Sequence, residues 1–118
     1  MKIENKIKQE ILKTLFKSIN SNECSVFLFG SYARANARQS SDIDVGIVCT
    51  YSISFDTILR IKDELNETVN ILRDIDLVDF TANLDPEFKR IALKDIQIWY
   101  KTKESEEILS SIRRHLIH

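Results

Sequence analysis

Residues 27–48 read FLFGSYARANARQSSDIDVGIV: a bulky apolar run, a Gly-Ser pair, a polar stretch, then two aspartates one residue apart in a β-branched segment. The apolar run begins upstream as SVFLF (25–29), which is strand-like; Gly30 and Ser31 end it. YARANAR (32–38) has the composition of a brief helix before Ser40 and Ser41. DIDVGIV (42–48) alternates, so Asp42, Asp44 and Gly46 share one face while Ile43, Val45 and Ile47 point into the core. The order is strand, turn, helix, strand.

Two carboxylates at i and i+2 of a strand lie about 6.5–7 Å apart on one face and repel unless a cation or a proton intervenes. Mg²⁺ takes oxygen ligands, usually one or two carboxylates together with substrate phosphates, so Asp42 and Asp44 form a suitable half-site. The Gly30-Ser31 turn supplies the other half. Helix N-termini present free N–H groups and a positive dipole end to anions; Gly30 allows close backbone approach and Ser31 adds a hydroxyl. Two metal ions roughly 4 Å apart can clamp the attacking and leaving oxygens of an in-line displacement, so the pattern suits phosphoryl or nucleotidyl transfer.

Outward from this stretch, helix and strand signals alternate without internal repeats. Ile3, Ile7, Ile11, Leu15 and Ile19 recur at helical spacing, with Leu12 and Phe16 beside them, and mark a first helix. After a polar break at 50–54, Phe55, Ile58, Leu59, Leu65, Val69 and Leu72 mark a second long one. DIDLVDF (74–80) is a third strand, with Asp74, Asp76 and Val78 on one face and Ile75, Leu77 and Asp79 on the other. Asp85 before Pro86, with Glu87 following, starts a short helix to about Lys94. IQIWY (96–100) alternates as a strand, and Ile108, Leu109, Ile112 and Leu116 stripe a last charged helix whose apolar face is available to a partner. The fold class is therefore α+β: a mixed sheet of about four strands with helices packed against it, in the order α-β-α-β-α-β followed by α-β-α.

Composition narrows the function classes. With 118 residues the chain is sized for one domain, 1–118, and 43% hydrophobic with 30% charged residues is the balance of a soluble globular protein. Seventeen basic against 18 acidic side chains give a net charge of −1, so no long nucleic acid and no anionic lipid surface is expected as partner. No apolar run approaches the roughly 18 residues of a membrane span. Cys24 and Cys49 are isolated, without C-x-x-C or metal-ligand spacing, and read as two reduced thiols in a cytoplasmic protein. His115 and His118 on the last helix read as solvent-exposed, and Tyr32 as a packing residue.

Gly30-Ser31-Tyr32-Ala33-Arg34 followed by Ser41-Asp42-Ile43-Asp44-Val45 resembles the G-S-x-x-x-G…S-D-x-D signature of the DNA polymerase β-type nucleotidyltransferase superfamily. The likeness is closest to the minimal nucleotidyltransferases (MNT) and runs from end to end: IDLVDF fits their third-carboxylate strand with Asp76 in place, and FKRIALKDIQIWY resembles their closing helix and strand. Where the family has Gly after the Arg, this chain has Ala35, and the left-handed conformation is then expected at Asn36. The resemblance implies that Asp42, Asp44 and Asp76 hold Mg²⁺ or Mn²⁺, that Asp76 also helps deprotonate an acceptor hydroxyl, and that Gly30 and Ser31 anchor the β- and γ-phosphates of ATP. Arg34, one helical turn after Ser31, is placed either to neutralise phosphate charge or to sit in a surface salt bridge, and Ser41 belongs to the nucleotide-binding set by its place in the motif. It further implies a small all-helical HEPN-type partner, a toxin to which this antitoxin transfers AMP. Transfer to a small molecule such as an aminoglycoside, a non-catalytic antitoxin acting by contact, and a homo-oligomer stay open.

Overall fold

The computed structural model describes residues 2–38 and 41–116. Among the described residues nine elements follow one another: α1 (Asn5–Leu15), β1 (Cys24–Phe29), α2 (Gly30–Ala33), β2 (Ile43–Cys49), α3 (Phe55–Thr68), β3 (Ile75–Asp79), α4 (Pro86–Ala92), β4 (Gln97–Tyr100) and α5 (Lys103–Leu116). The strands form one mixed sheet in the order β3-β2-β1-β4, with β1 antiparallel to both β2 and β4 and β2 parallel to β3. The parallel pair needs a crossover, and α3 is that crossover.

Both faces of the sheet are covered. Val26 and Leu28 of β1, Ile43, Val45 and Ile47 of β2, and Ile75 and Leu77 of β3 pack against Ile11, Leu12 and Leu15 of α1 and Ile58, Ile61 and Leu65 of α3. On the other face Phe27, Phe29, Val48 and Phe80 meet Ala92 and Leu93 beside α4 and Leu109 of α5. That is why β1 is buried at every position rather than alternating. Gly46 sits where a side chain has no room: a Cβ there would run into the Phe27 ring and lie 2.9 Å from Phe80 Cε2.

The last helix differs from its expectation. Its stripe faces this core, with Leu109 buried and Ile108, Ile112 and Leu116 packed on the second face of the sheet. Ser105 of α5 and Ser25 of β1, both fully buried, share a 2.6 Å hydrogen bond that pins the start of the helix to the sheet. The second long helix is also shorter than expected. Val69 caps it and stays buried, while Leu72 lies beyond it fully exposed. Phe55 and Leu59 are exposed as well, so three of the six apolar positions that mark this helix do not face the core.

The cysteines correct a further expectation. Cys24 and Cys49 are not reduced thiols but a disulfide, with Cα atoms 4.1 Å apart. They lie 25 residues apart in sequence, and only the β1–β2 register, which pairs Cys24 with Cys49, brings them opposite. The cysteine argument for a reducing compartment falls with them. Among the described residues no helix is long and apolar enough to cross a membrane.

Candidate active site

Gly30 ends β1 and begins α2 at φ +74, a left-handed conformation that a side chain would strain. A Cβ at this position would fall on Asp44 Oδ2 and lie 3.1 Å from Asp44 Cγ. The glycine is therefore what lets the carboxylate of β2 lie against the turn that follows β1. Register completes the arrangement: Phe29 pairs with Asp44, and Asp44 pairs with Asp76 on the parallel strand. Asp44 and Asp76 thus share a row and a face, and Asp42 stands exposed just before β2.

α2 is a single turn, with Ser31 partly exposed in it. Asn36 N–H donates to Ser31 O (3.1 Å) and Ala35 N–H to Tyr32 O (3.4 Å), the paired bonds of a Schellman ending, which require the residue between helix and exit to be left-handed. That residue is Ala35, at φ 59, rather than the expected Asn36. The hydrogen-bond pattern fixes the position regardless of which residue would tolerate it best. The turn is held from below by Tyr32, buried, whose hydroxyl accepts from Arg73 Nη1 (2.6 Å) and whose ring lies under the Arg73 guanidinium.

The electrostatics gather the carboxylates into one neighbourhood. Burial, then repulsion from Asp76 and from Asp42, push the Asp44 carboxyl up to about 6, while the Arg34 guanidinium opposes the rise. Arg34 is exposed, so its charge reaches Asp44 from solvent. Ser41 is spent locally: its Oγ accepts the Arg38 N–H at 2.8 Å and closes the loop before Asp42.

Asp76 of β3 is half-exposed and already has a cationic partner. Its side chain is 42% exposed, Oδ1 lies 3.0 Å from Lys62 Nζ of α3, and the same oxygen accepts the Leu77 N–H. The pairing raises the Lys62 ammonium above its ordinary range, first through the hydrogen bond to Asp76 and then through its charge. One helical turn on, Asn66 clasps β3: its Nδ2 donates to Ile75 O (2.8 Å) and its Oδ1 accepts Ile75 N–H (2.9 Å). A cavity of about 430 Å³ opens here, lined by Asp42, Lys62, Asp63, Asn66, Asp74, Ile75 and Asp76. Gly30 and Asp44 lie outside its lining.

Sequence reasoning missed Lys62 and Asn66. Both sit on the polar side of an amphipathic helix, where nothing distinguishes them from solvated residues until α3 is laid along β3. Asp79 takes the opposite parity to Asp76, is buried, and accepts from Thr81 N–H (3.0 Å) and Thr81 Oγ1 to shape the turn after β3. Asp74 is exposed at the strand's entrance, where its carbonyl accepts the Ile43 N–H. His115, also exposed, bonds through Nδ1 to Ser111 O of its own helix, and His118 lies outside the described residues.

The polymerase beta nucleotidyltransferase family model matches residues 5–105. The chain belongs to that family. Among solved structures, the fold matches one chain of a toxin–antitoxin complex with AMP-PNP at TM-score 0.76 and 19% identity, over 93% of this chain and 86% of that one. It matches one chain of the tri-AMPylated Shewanella oneidensis HEPN toxin in complex with MNT antitoxin at TM-score 0.71 and 19% identity, over 97% and 89%. A chain of the MntA-HepT toxin–antitoxin complex follows at TM-score 0.73 and 17% identity, over 97% and 86%. At these identities the nucleotidyltransferase fold is what is shared. No curated protein matches the sequence.

Among the described residues no three His, Cys, Asp or Glu side chains stand close enough to cage an ion unaided. The donor set nonetheless has the chemistry of a hard-cation site. Two carboxylates completed by phosphate oxygens are the ordinary shell of Mg²⁺, and the approach of Asp44 Oδ2 over Gly30 places one of them beside the turn.

Proposed function

We propose that this nucleotidyltransferase moves AMP from ATP to a hydroxyl of a small helical HEPN-type protein and acts as its antitoxin. The observation that carries the reading is the packing of Asp44 Oδ2 onto Gly30, in register with Asp76. That contact joins the Gly-Ser turn to the paired carboxylates at one place. Family membership supports the reaction class, and the likeness to toxin–antitoxin complexes, one with AMP-PNP and one tri-AMPylated, supports nucleotide and acceptor.

In this reading Asp42, Asp44 and Asp76 hold Mg²⁺ or Mn²⁺, which when bound supplies charge neutralisation to the triphosphate. Gly30 and Ser31 offer the β- and γ-phosphates their N–H groups and a hydroxyl, Arg34 adds a cation at the exposed side, and Ser41 keeps the loop before Asp42 closed. The acceptor hydroxyl attacks the α-phosphorus, its proton passes to the Asp76 carboxylate, and the bond to the bridging oxygen breaks so that pyrophosphate leaves. ATP as donor implies a cytoplasmic site of action.

The test is intact-mass spectrometry of a HEPN-type helical protein encoded beside this chain, after incubation with this chain, ATP and Mg²⁺. Addition of one or more AMP units is expected, and none with EDTA. Tight complex formation without an adduct would replace the reading with neutralisation by contact, and an adduct on an aminoglycoside instead would move the acceptor to a small molecule.

A further inference from the structure

The cavity beside Asp76 is lined by four carboxylates, those of Asp42, Asp63, Asp74 and Asp76, and by the single cation of Lys62. Such a concentration of like charge needs a counter-ion, and Lys62 supplies it from 3.0 Å. The ammonium is not there by chance of a flexible side chain. Lys62 lies one turn before Asn66, whose amide grips both backbone groups of Ile75 and also donates to Lys62 O at 2.9 Å. The clasp sets α3 against β3 at the residue preceding Asp76, so the lysine is aimed at the carboxylate by the fold.

Asp76 Oδ1, the oxygen held by Lys62, accepts the Leu77 N–H as well, and the carboxylates do not converge into a cage in this state. Resting on the reading of Asp76 as a metal ligand, we propose that Lys62 is a resident counter-ion that competes with the divalent cation for Asp76 and sets its affinity. The ammonium offsets one of the four negative charges, that of Asp76, before the cation arrives, and must give up Asp76 when it does. A cation entering next to Lys62 meets both a competitor for its ligand and a like charge a few ångströms away. Lys62 is a positioning residue in this scheme, acting through the carboxylate rather than on the substrate.

The experiment is a Mn²⁺ titration of the full chain without nucleotide, read by the electron paramagnetic resonance signal of free Mn²⁺. Wild type, Lys62→Met, Lys62→Arg and Asp76→Asn are compared, with the double variant closing a cycle. Lys62→Met is expected to bind Mn²⁺ on the order of tenfold more tightly, the scale of removing one nearby positive charge at a half-exposed site, while Lys62→Arg stays close to wild type. In the Asp76→Asn background the gain from Lys62→Met should shrink to less than half. Equal Mn²⁺ affinity in wild type and Lys62→Met, with melting temperature lowered in the variant, would make the pair structural and overturn the inference alone. Weaker Mn²⁺ binding in Lys62→Met would overturn it too. Absence of saturable Mn²⁺ binding in every variant, both without nucleotide and, beyond what the nucleotide itself binds, with AMP-PNP added to complete the shell, would instead overturn the metal-site reading on which it rests.

Discussion

Two residues carry strain that the sequence states only in part. Asp44 is half-buried and crowded by Asp76 and Asp42, and its carboxyl is pushed from 3.8 up to about 6. Because the folded value is the higher one, its neutral form favours the fold; that contribution is whole below pH 3.8 and is lost as pH rises through about 6. At pH 7 wild type therefore holds an unfavourable charge that Asp44→Asn removes. Discounted for solvent screening at a half-exposed group, the variant should be about 1–2 kcal/mol more stable at pH 7, with the two proteins converging toward pH 4. Urea melts across that range read the difference directly. Ala35 is the second case. Its left-handed backbone costs a non-glycine residue about 1 kcal/mol, and a β-branched side chain more. Ala35→Gly is expected to be neutral to about 1 kcal/mol stabilising, whereas Ala35→Val should lose at least about 1 kcal/mol in the same assay. The carboxylate pair was legible because i and i+2 alternation needs no tertiary knowledge. The left-handed residue was displaced by one because Asn tolerates the conformation better than Ala, while the helix-ending hydrogen bonds decide the position.

At the scale of elements, strand parity did most of the predicting and helix surfaces the least. The pattern of DIDLVDF separates Asp76 from Asp79, and the register Asp44–Asp76 and Ile47–Asp79 places them on opposite faces. Their environments then assign different work: Asp76 reaches the acidic cavity, and Asp79 is buried over the turn it shapes with Thr81. Asp76→Asn should cost at least about a hundredfold in AMP transfer with the melting temperature within a few degrees of wild type. Asp79→Asn and Asp74→Asn should retain most activity, Asp79→Asn losing about 1 kcal/mol of stability instead. Steady-state transfer assays paired with thermal melts separate the two outcomes, and an active Asp76→Asn would undo the register argument. The helices were harder. The apolar stripe of α5 is the same whether it meets this sheet or a partner; the Ser25–Ser105 bond, the burial of Leu109 and the packing of Ile108, Ile112 and Leu116 show that it meets this sheet. Likewise Phe55 and Leu59 have helical spacing but remain exposed, because spacing gives the face of a helix and not the width of what covers it.

For the whole molecule, the antiparallel pair of β1 and β2 is the frame from which most of the proposed site hangs, Asp76 of β3 completing it. The chain between Cys24 and Cys49 contains Gly30, Ser31, Arg34, Ser41, Asp42 and Asp44, and the disulfide closes it into a loop at the end of the ladder away from Asp44. No spacing rule exposes this bond, since two lone cysteines 25 residues apart become partners only once strand order and register are known. A closed loop of this length removes chain entropy from the unfolded state worth about 3 kcal/mol. For a chain of this size that corresponds to a fall of about 10 °C in melting temperature on reduction. The six register pairs from Cys24–Cys49 to Phe29–Asp44 hold the hairpin together by backbone hydrogen bonds as well, so the reduced protein should keep its fold at 25 °C. Thermal melts with and without dithiothreitol, with reduction verified by thiol counting, are expected to show the lower transition, and ATP binding at 25 °C is expected to be unchanged. A reduced protein that melts with the oxidised one would show that the ladder alone sets stability. A reduced protein that has lost ATP affinity while still folded would show that the disulfide, through the register it locks, holds Asp44 against Gly30.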